Sequence, residues 1–200
     1  DAKRAPPYDL ARAYAPPLMD GSQSLEWCLA QIASTKWERK RISNSDVLKK
    51  LDEYRLSISP KWYRRPEKIF YESHGVTVPI QPLGVWFDGA NVVIDWLQPW
   101  KHKSLSPLQR AIFYTILKHR LFIGDYHSAK FRFIDLRAPE IGEPRALDVQ
   151  TEGQFDTISN EALGKEFDKL ARALDRYAKM PKKPRDEDEA QDEPGLLTLM

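Results

Sequence analysis

The order of patterns along residues 76–136 constrains the fold of this 200-residue chain more than any other feature. Two stretches rich in β-branched and aromatic residues, GVTVPIQPLGVWF and NVVIDWL, flank the turn sequence Asp88-Gly89, which is typical of a β-hairpin. A helix pattern begins at Ser106 and stops before Gly124, and a strand pattern covers residues 130–136. This order predicts an α+β (α/β) domain in which helices flank a mixed β-sheet.

Three other segments predict amphipathic helices, each preceded by a serine that can cap the first turn. Ser24 precedes the first, Ser43 the second and Ser159 the last. The apolar residues at helical spacing are Leu25, Cys28, Leu29 and Ile32 in the first, Val47, Leu48, Leu51 and Tyr54 in the second, and Leu163, Phe167, Leu170, Leu174 and Tyr177 in the last. The narrow stripe of the last helix indicates that it packs on the domain or pairs with another helix.

Both ends of the chain predict appendages to one globular domain, which we place at residues 22–180. Residues 1–21 contain four prolines and no sustained apolar period, so we expect an extended N-terminal arm. Residues 181–200 predict a charged, disordered tail, in which an acidic run precedes LLTLM. Two further roles of the tail remain open: the acidic run could mimic nucleic acid and cover the basic body, or LLTLM could dock into a partner's groove.

The composition excludes several classes of protein. No apolar run reaches the roughly 20 residues that cross a bilayer, so we expect a soluble, cytoplasmic protein without membrane contact. Cys28 is the only cysteine, which excludes an intrachain disulfide and favours a small buried apolar role. The chain has neither a Walker phosphate loop nor the dinucleotide motif G-x-G-x-x-G. Its histidines lack zinc-motif spacing, and His74, beside Glu72, is the best placed as a general base.

Basic and aromatic residues occur together in KWERKR at residues 36–41, KWYRR at 61–65 and WKHK at 100–103. Cations can hold phosphates while rings stack on bases, so these clusters predict nucleic-acid binding. The residues predicted to bind are Arg39, Arg41, Lys61, Trp62, Arg64, Arg65, Lys101 and Lys103. The alternative is structural, because Trp and Arg at the rim of a core also cover apolar surface.

The strand, strand, helix, strand order of residues 76–136 resembles the core of PD-(D/E)xK nucleases, particularly their RecB-like branch. Asp95 in VVIDWL matches the second metal-binding acid of the family, and Gln109 with the nearby Phe113 matches part of its helix motif. Leu97 stands where the family has its lysine. The resemblance implies a restriction-endonuclease-like core, in which a complete site would hold a divalent metal on two acids and activate water with the lysine.

Asp95 and Gln109 also have structural interpretations. A carboxylate in an apolar strand needs a partner, such as Lys101, His102 or Lys103. Gln109 completes a capping box that starts at Ser106 and has a proline at the first helical position.

Three hypotheses about function follow. The first is a nucleic-acid-associated protein with a degenerate nuclease-like core, which binds DNA or RNA without cleaving it and uses no cofactor. The second is a non-catalytic assembly subunit, which contacts other proteins of a mobile-element, phage or bacterial defence complex through the helix at residues 163–177 or the C-terminal tail.

The third hypothesis is a nuclease with a migrated active site. Asp88 and Asp95 would hold Mg²⁺ near Glu72, and Asp95, Gln109 and Lys101 would be catalytic.

Overall fold

A five-stranded mixed β-sheet lies at the centre of the computed structural model, which describes residues 8–60, 62–140 and 142–180. Three helices pack on one face of this sheet, and two helices with a two-stranded sheet pack on the other. The described helices are α1 (Asp9–Met19), α2 (Leu25–Ala33), α3 (Glu38–Ile58), α4 (Pro107–Arg120) and α5 (Asn160–Lys179). The described strands are β1 (Tyr63–Arg64), β2 (Ile69–Ser73), β3 (Val76–Ile80), β4 (Gly84–Asp88), β5 (Asn91–Gln98), β6 (Lys130–Asp135) and β7 (Asp148–Thr151). The predicted α+β fold is therefore confirmed.

The strands of the main sheet follow the order β1-β4-β5-β6-β7. β4 and β5 form the predicted antiparallel hairpin, which turns at Gly89 with a φ of 62° that glycine adopts without steric cost. β5 and β6 are parallel, with α4 between them in the chain, and β7 pairs antiparallel with β6. The predicted order of strand, strand, helix and strand is thus present.

The first predicted strand segment, GVTVPIQPLGVWF, forms two strands in different sheets. β3 pairs with β2 in the two-stranded sheet, whereas β4 pairs with β1 and β5 in the main sheet. Pro82 lies between β3 and β4. Because proline has no backbone N–H to donate, it interrupts a continuous ladder at this point.

The prediction of an extended N-terminal arm is wrong for Asp9–Met19, which form α1. The face of α1 that enters the core is fully buried at Ala11, Ala15 and Leu18. Pro16 and Pro17 lie in the last turn of α1, where burial of this face outweighs the hydrogen bonds that the two missing N–H groups remove. Residues 1–7 and the predicted tail at 181–200 lie outside the described residues.

Three of the four predicted helix caps are confirmed. The hydroxyls of Ser24, Ser106 and Ser159 each accept a hydrogen bond from the backbone N–H three residues later. The prediction for Ser43 is wrong, because α3 begins at Glu38 and Ser43 lies inside it. The preceding residues, ERKRI, include strong helix formers, so the helix starts before the serine is reached.

The apolar stripe of α5 packs on its own domain. Leu163 and Phe167 are buried in the core on that face of the sheet, and Leu170 and Leu174 lie partly buried against it. Tyr177 is 74% exposed. Most of the stripe is therefore used within the domain.

Two features that the composition predicted concern Cys28 and the membrane. Cys28 is a free thiol that is fully buried in the core between the sheet and α1–α3, as expected of a small apolar residue. Among the helices that the structure describes, none combines the length and the hydropathy of a bilayer-crossing segment.

Candidate nucleic-acid interface

Two exposed aromatic rings lie at one edge of the main sheet. Trp62 is 45% exposed and Phe87 is 52% exposed, and their ring centroids are 5.3 Å apart at an angle of 40°. Strand alternation explains this exposure, because Tyr63 points into the core and its neighbours Trp62 and Arg64 point the other way. Trp62, Arg64 and Phe87 are called the β1 edge surface below.

A depression of about 340 Å³ adjoins the β1 edge surface. It is lined by Trp62, Arg64, Pro66, Glu67, Ile69, Val85, Arg120, Leu121, Ile123 and Tyr126. Arg120 is fixed in orientation, since its Nε donates to the carbonyl oxygen of Phe70 at 3.0 Å. The depression therefore combines the indole of Trp62 with two guanidinium groups. Glu67 is the one acidic residue in its lining.

A smaller cavity of about 150 Å³ lies just beyond β1 along the chain. Arg12 of α1 lines it together with Arg65 and Lys68, and we call it the cationic pocket. Within the described ranges, these three side chains make no hydrogen bond and no ion pair. Asp9 attracts the charge of Arg12, but its carboxylate is paired with Lys40 at 3.0 Å. Positive charge therefore accumulates at this cavity.

Asp95 is fully buried in the middle of the main sheet. The Tyr54 hydroxyl of α3 donates to its Oδ1 at 2.9 Å, and the Tyr63 hydroxyl of β1 donates to its Oδ2 at 3.3 Å. Burial raises the pKa of Asp95 to about 7, although the hydroxyls and nearby N–H groups of its neighbours act in the opposite direction. The prediction that Lys101, His102 or Lys103 pairs with Asp95 is wrong, because two tyrosine hydroxyls donate hydrogen bonds to its carboxylate instead.

Gly84 makes this arrangement sterically feasible. It lies directly opposite Asp95 in the β4–β5 pairing, and the ring of Tyr63 passes over it. A Cβ at this position would clash with the ring carbons and hydroxyl of Tyr63. The absence of a side chain at Gly84 therefore allows Tyr63 to reach Asp95.

Arg132 separates the two acids that were predicted as metal ligands. It pairs with Asp88 at 3.0 Å, its guanidinium lies 4.7 Å from the centre of the Trp86 ring, and it also lowers the pKa of Asp95. The described residues contain no group of three or more His, Cys, Asp or Glu side chains that could hold a metal. Glu72, the third predicted acid, is exposed on β2 in the other sheet.

The remaining predicted catalytic residues do not converge on Asp95. Gln109 completes the capping box of α4: its Oε1 accepts from Ser106 N at 2.8 Å, while its own N–H donates to the Ser106 hydroxyl. α4 packs on the opposite face of the sheet from Asp95. Lys101 lies in the loop after β5 and forms no ion pair within the described residues.

The predicted nucleic-acid-binding residues are distributed over several surfaces. Trp62, Arg64 and Arg65 lie together at the β1 edge, while Lys61 lies outside the described residues. Exposed positions elsewhere are Arg39 and Arg41 near the start of α3 and Lys103 over the Trp100 ring at 5.6 Å. The KWYRR cluster adjoins two cation-lined cavities and an exposed ring pair, whereas Lys103 and the half-buried Trp100 of the WKHK cluster line a third cavity of about 380 Å³ whose walls are mostly apolar.

Sequence reasoning missed the residues that complete this edge. Arg12 lay in the segment predicted to be extended, and its helical phase with Ala11 and Ala15 was the available signal. Lys68 and Arg120 carry no local signal, because their positions depend on the path between β1 and β2 and on the packing of α4. Phe87 was predicted only as the end of a strand segment, without a binding role.

A serine, a histidine and an aspartate also meet on the surface. Ser73 Oγ lies 2.8 Å from His74 Nδ1, and His74 Nε2 lies 3.7 Å from Asp168 Oδ1. His74 has a φ of 51° at an exposed turn, and its side chain is 43% exposed. Asp168, and not Glu72, is therefore the acid that faces His74, and about half of each of these two side chains is exposed to solvent.

Comparisons of the chain with protein-family models, with curated proteins and with solved structures found no match.

Proposed function

We propose that this protein binds DNA or RNA along the β1 edge surface and does not cleave it. The observation that carries the proposal is the exposed Trp62–Phe87 pair beside Arg64, at a depression that Arg120 also lines. Aromatic faces stack on bases of any sequence at about 1–3 kcal/mol per base, and guanidinium groups neutralise phosphates. The proposal includes a cytoplasmic location, where nucleic acid is accessible, and descent from a nuclease core.

The surroundings of Asp95 support binding without cleavage. Its carboxylate is fully buried and already accepts hydrogen bonds from Tyr54 and Tyr63, so a phosphate would have to displace packed core residues to reach it. Leu97 offers no charge with which to orient a water molecule or stabilise a pentavalent phosphate. We therefore expect no cleavage of DNA or RNA with Mg²⁺ or Mn²⁺.

Fluorescence anisotropy with labelled single- and double-stranded DNA and RNA tests the proposal. We expect binding that weakens with salt, because each neutralised phosphate of a single strand contributes about −0.7 to the slope of log K against log salt. Trp62→Ala removes a stacking face and should weaken binding about tenfold at every salt concentration. Arg64→Gln removes one phosphate contact and should also make the salt slope shallower.

Matched controls come from α5, away from the β1 edge. Tyr177→Ala removes an aromatic ring that is more exposed than Trp62, and Arg172→Gln removes an exposed arginine charge. Neither should change affinity. Equal losses in the β1-edge variants and the α5 controls would reject the β1 edge as the binding surface. Cleavage in the same samples that Asp95→Asn abolishes would reject the non-cleaving function.

A protein partner is a second candidate, favoured by the exposed end of α5. Tyr177 is 74% exposed and Met180 is 63% exposed, and both are apolar residues at the point where the described chain ends. A surface of this kind would suit an assembly subunit. Absence of nucleic-acid binding at low salt, with self-association or heteromeric binding lost in Tyr177→Ala, would favour this function.

A further inference from the structure

The cationic pocket has chemical features that differ from those of the β1 edge surface. Its volume of about 150 Å³ is well below the roughly 300–1,000 Å³ of pockets that enclose drug-sized ligands, so it suits a compact group. Three cationic side chains line it, together with the amide of Gln81 and apolar walls that include Leu97. The cations would neutralise a small anion and donate hydrogen bonds to it, and the lining has no carboxylate that would repel it.

Among the described residues, the three cations of this pocket form no ion pair. Arg12 is partly buried, and its pKa is lowered by burial and then by the like charge of Arg65. Burial lowers the pKa of Arg65 as well. Two guanidinium groups that repel each other across a cavity gain most from an anion placed between them, since it removes the repulsion and replaces lost hydration.

Acidic side chains near the pocket are engaged or point elsewhere. Asp9 is paired with Lys40, and Glu67 lines the neighbouring depression and not this cavity. The lining of the cationic pocket contains no Asp or Glu. An internal carboxylate is therefore not its occupant among the described residues.

We infer that the cationic pocket binds the terminal phosphate of a nucleic-acid strand whose bases lie on the β1 edge surface. Arg64 lines the depression and the next residue, Arg65, lines the pocket, so the two cavities adjoin consecutive residues of the chain. A terminal phosphate carries about −1.5 to −2 charges at pH 7, whereas a phosphate within the backbone carries about −1, so three cations favour the strand end. This inference rests on the proposed function for its ligand but uses different residues for the phosphate.

The test has two probes, which separate the pocket from the strand. Thermal unfolding with and without inorganic phosphate, at constant ionic strength with chloride as the balancing anion, measures the pocket alone. Anisotropy with strands that carry a 5′-phosphate, a 3′-phosphate or no terminal phosphate measures the strand end. We expect phosphate to raise the Tm, and one of the phosphorylated strands to bind about tenfold more tightly than the unphosphorylated strand.

Both effects should disappear in Arg12→Gln and in Arg65→Gln and persist in Arg172→Gln. Lys68→Gln is a further variant at an exposed position, which keeps the test decisive if the partly buried Arg12 is needed for folding. If phosphate raised the Tm equally in the pocket variants and in Arg172→Gln, the cationic pocket would not be its binding site. No rise in the wild type would also reject phosphate binding in the pocket.

Other outcomes distinguish this inference from the proposed function. A pocket-dependent rise in Tm with equal affinity for all three strands would leave an anion site and overturn its assignment to a strand end. Strand binding that depends on Trp62 would support the proposed function. If inorganic phosphate then left the Tm unchanged and a terminal phosphate left the affinity unchanged, the further inference would be overturned.

Discussion

At the level of single residues, Asp95 is a carboxylate that is fully buried in the protein interior. Tyr54 from α3, Tyr63 from β1, Trp86 from β4 and Arg132 from β6 face it, and Arg132 is the charged one among them. The Trp86 Nε1 is buried and makes no hydrogen bond of ordinary geometry, although it lies close enough to lower the pKa of Asp95. Burial still outweighs these contributions.

The raised pKa of Asp95 predicts that ionisation of this group destabilises the fold. Its pKa moves from 3.8 to about 7, so the folded state binds more protons than the unfolded state between these values. The contribution of Asp95 to the free energy of unfolding is therefore greatest below pH 4, falls as pH rises through 7, and is constant above about pH 8. The full difference is of order 4 kcal/mol, at about 1.4 kcal/mol per pKa unit.

Urea unfolding of the wild type and Asp95→Asn at pH 5 and pH 8 measures this contribution. Relative to the wild type, the variant should gain a few kcal/mol between the two pH values, because asparagine cannot ionise. Burial raises the pKa values of Tyr54 and Tyr63 as well, so neither tyrosine ionises in this range. Asp156→Asn, at an exposed position away from Arg132, is the control, and parallel pH profiles for wild type and Asp95→Asn would show that the Asp95 carboxylate has an ordinary pKa.

At the scale of elements, α4 shows which local signals were sufficient. Ser106 and Gln109 form both hydrogen bonds of a capping box, and Pro107 occupies the first helical position. Ser106→Ala should lower the free energy of unfolding by about 1 kcal/mol, because the backbone N–H of Gln109 loses its acceptor. Ser43→Ala is the matched control: Ser43 lies inside α3, so alanine should be neutral or slightly stabilising.

Chemical unfolding of these two variants distinguishes a cap from a functional role. Gln109→Ala should resemble Ser106→Ala in stability and should leave nucleic-acid affinity unchanged. A loss of affinity in Gln109→Ala, without a matching loss in Ser106→Ala, would instead assign Gln109 to the binding site.

The elements that the sequence predicted correctly are those determined by neighbouring residues. The β4–β5 hairpin, α4, β6 and the capped starts of α2 and α5 each have a turn or cap within a few positions of the apolar pattern. α1 was missed because prolines near its end hid a short period of alanines. The split of the first strand segment followed from pairing with β2, which periodicity within one strand cannot reveal.

At the scale of the whole molecule, the site residues meet through contacts that are distant in sequence. Tyr54 and Tyr63 reach Asp95 from 41 and 32 residues away. The cationic pocket joins Arg12 of α1 to Arg65 and Lys68. A single sequence carries the chemistry of these residues but not their proximity, which explains why Arg65 was predicted and its meeting with Arg12 and Lys68 was not.

Arg145 is the longest of these connections and the one that fixes α1 to the sheet. Its Nη1 donates to the carbonyl oxygens of Pro99 at 2.7 Å and Leu136 at 2.9 Å, and its Nη2 donates to the Tyr8 hydroxyl at 2.9 Å. The guanidinium also lies 5.2 Å from the centre of the Tyr8 ring, and Arg145 is only 5% exposed. The segments after β5 and β6 and the start of α1 are therefore held by one side chain.

Arg145→Met should lower the free energy of unfolding by about 3 kcal/mol, because methionine fills similar volume but leaves two buried carbonyl oxygens without their donor. Tyr8→Phe removes only one of the three hydrogen bonds and should cost about 1 kcal/mol. Arg12 and the cationic pocket depend on the position of α1, so phosphate binding should weaken in Arg145→Met more than in Tyr8→Phe. Urea unfolding and phosphate-dependent Tm measure both effects. Equal stability of Arg145→Met and the wild type would show that α1 is held without Arg145, by its apolar face and by the hydrogen bond from Ala11 N to Asn44 Oδ1.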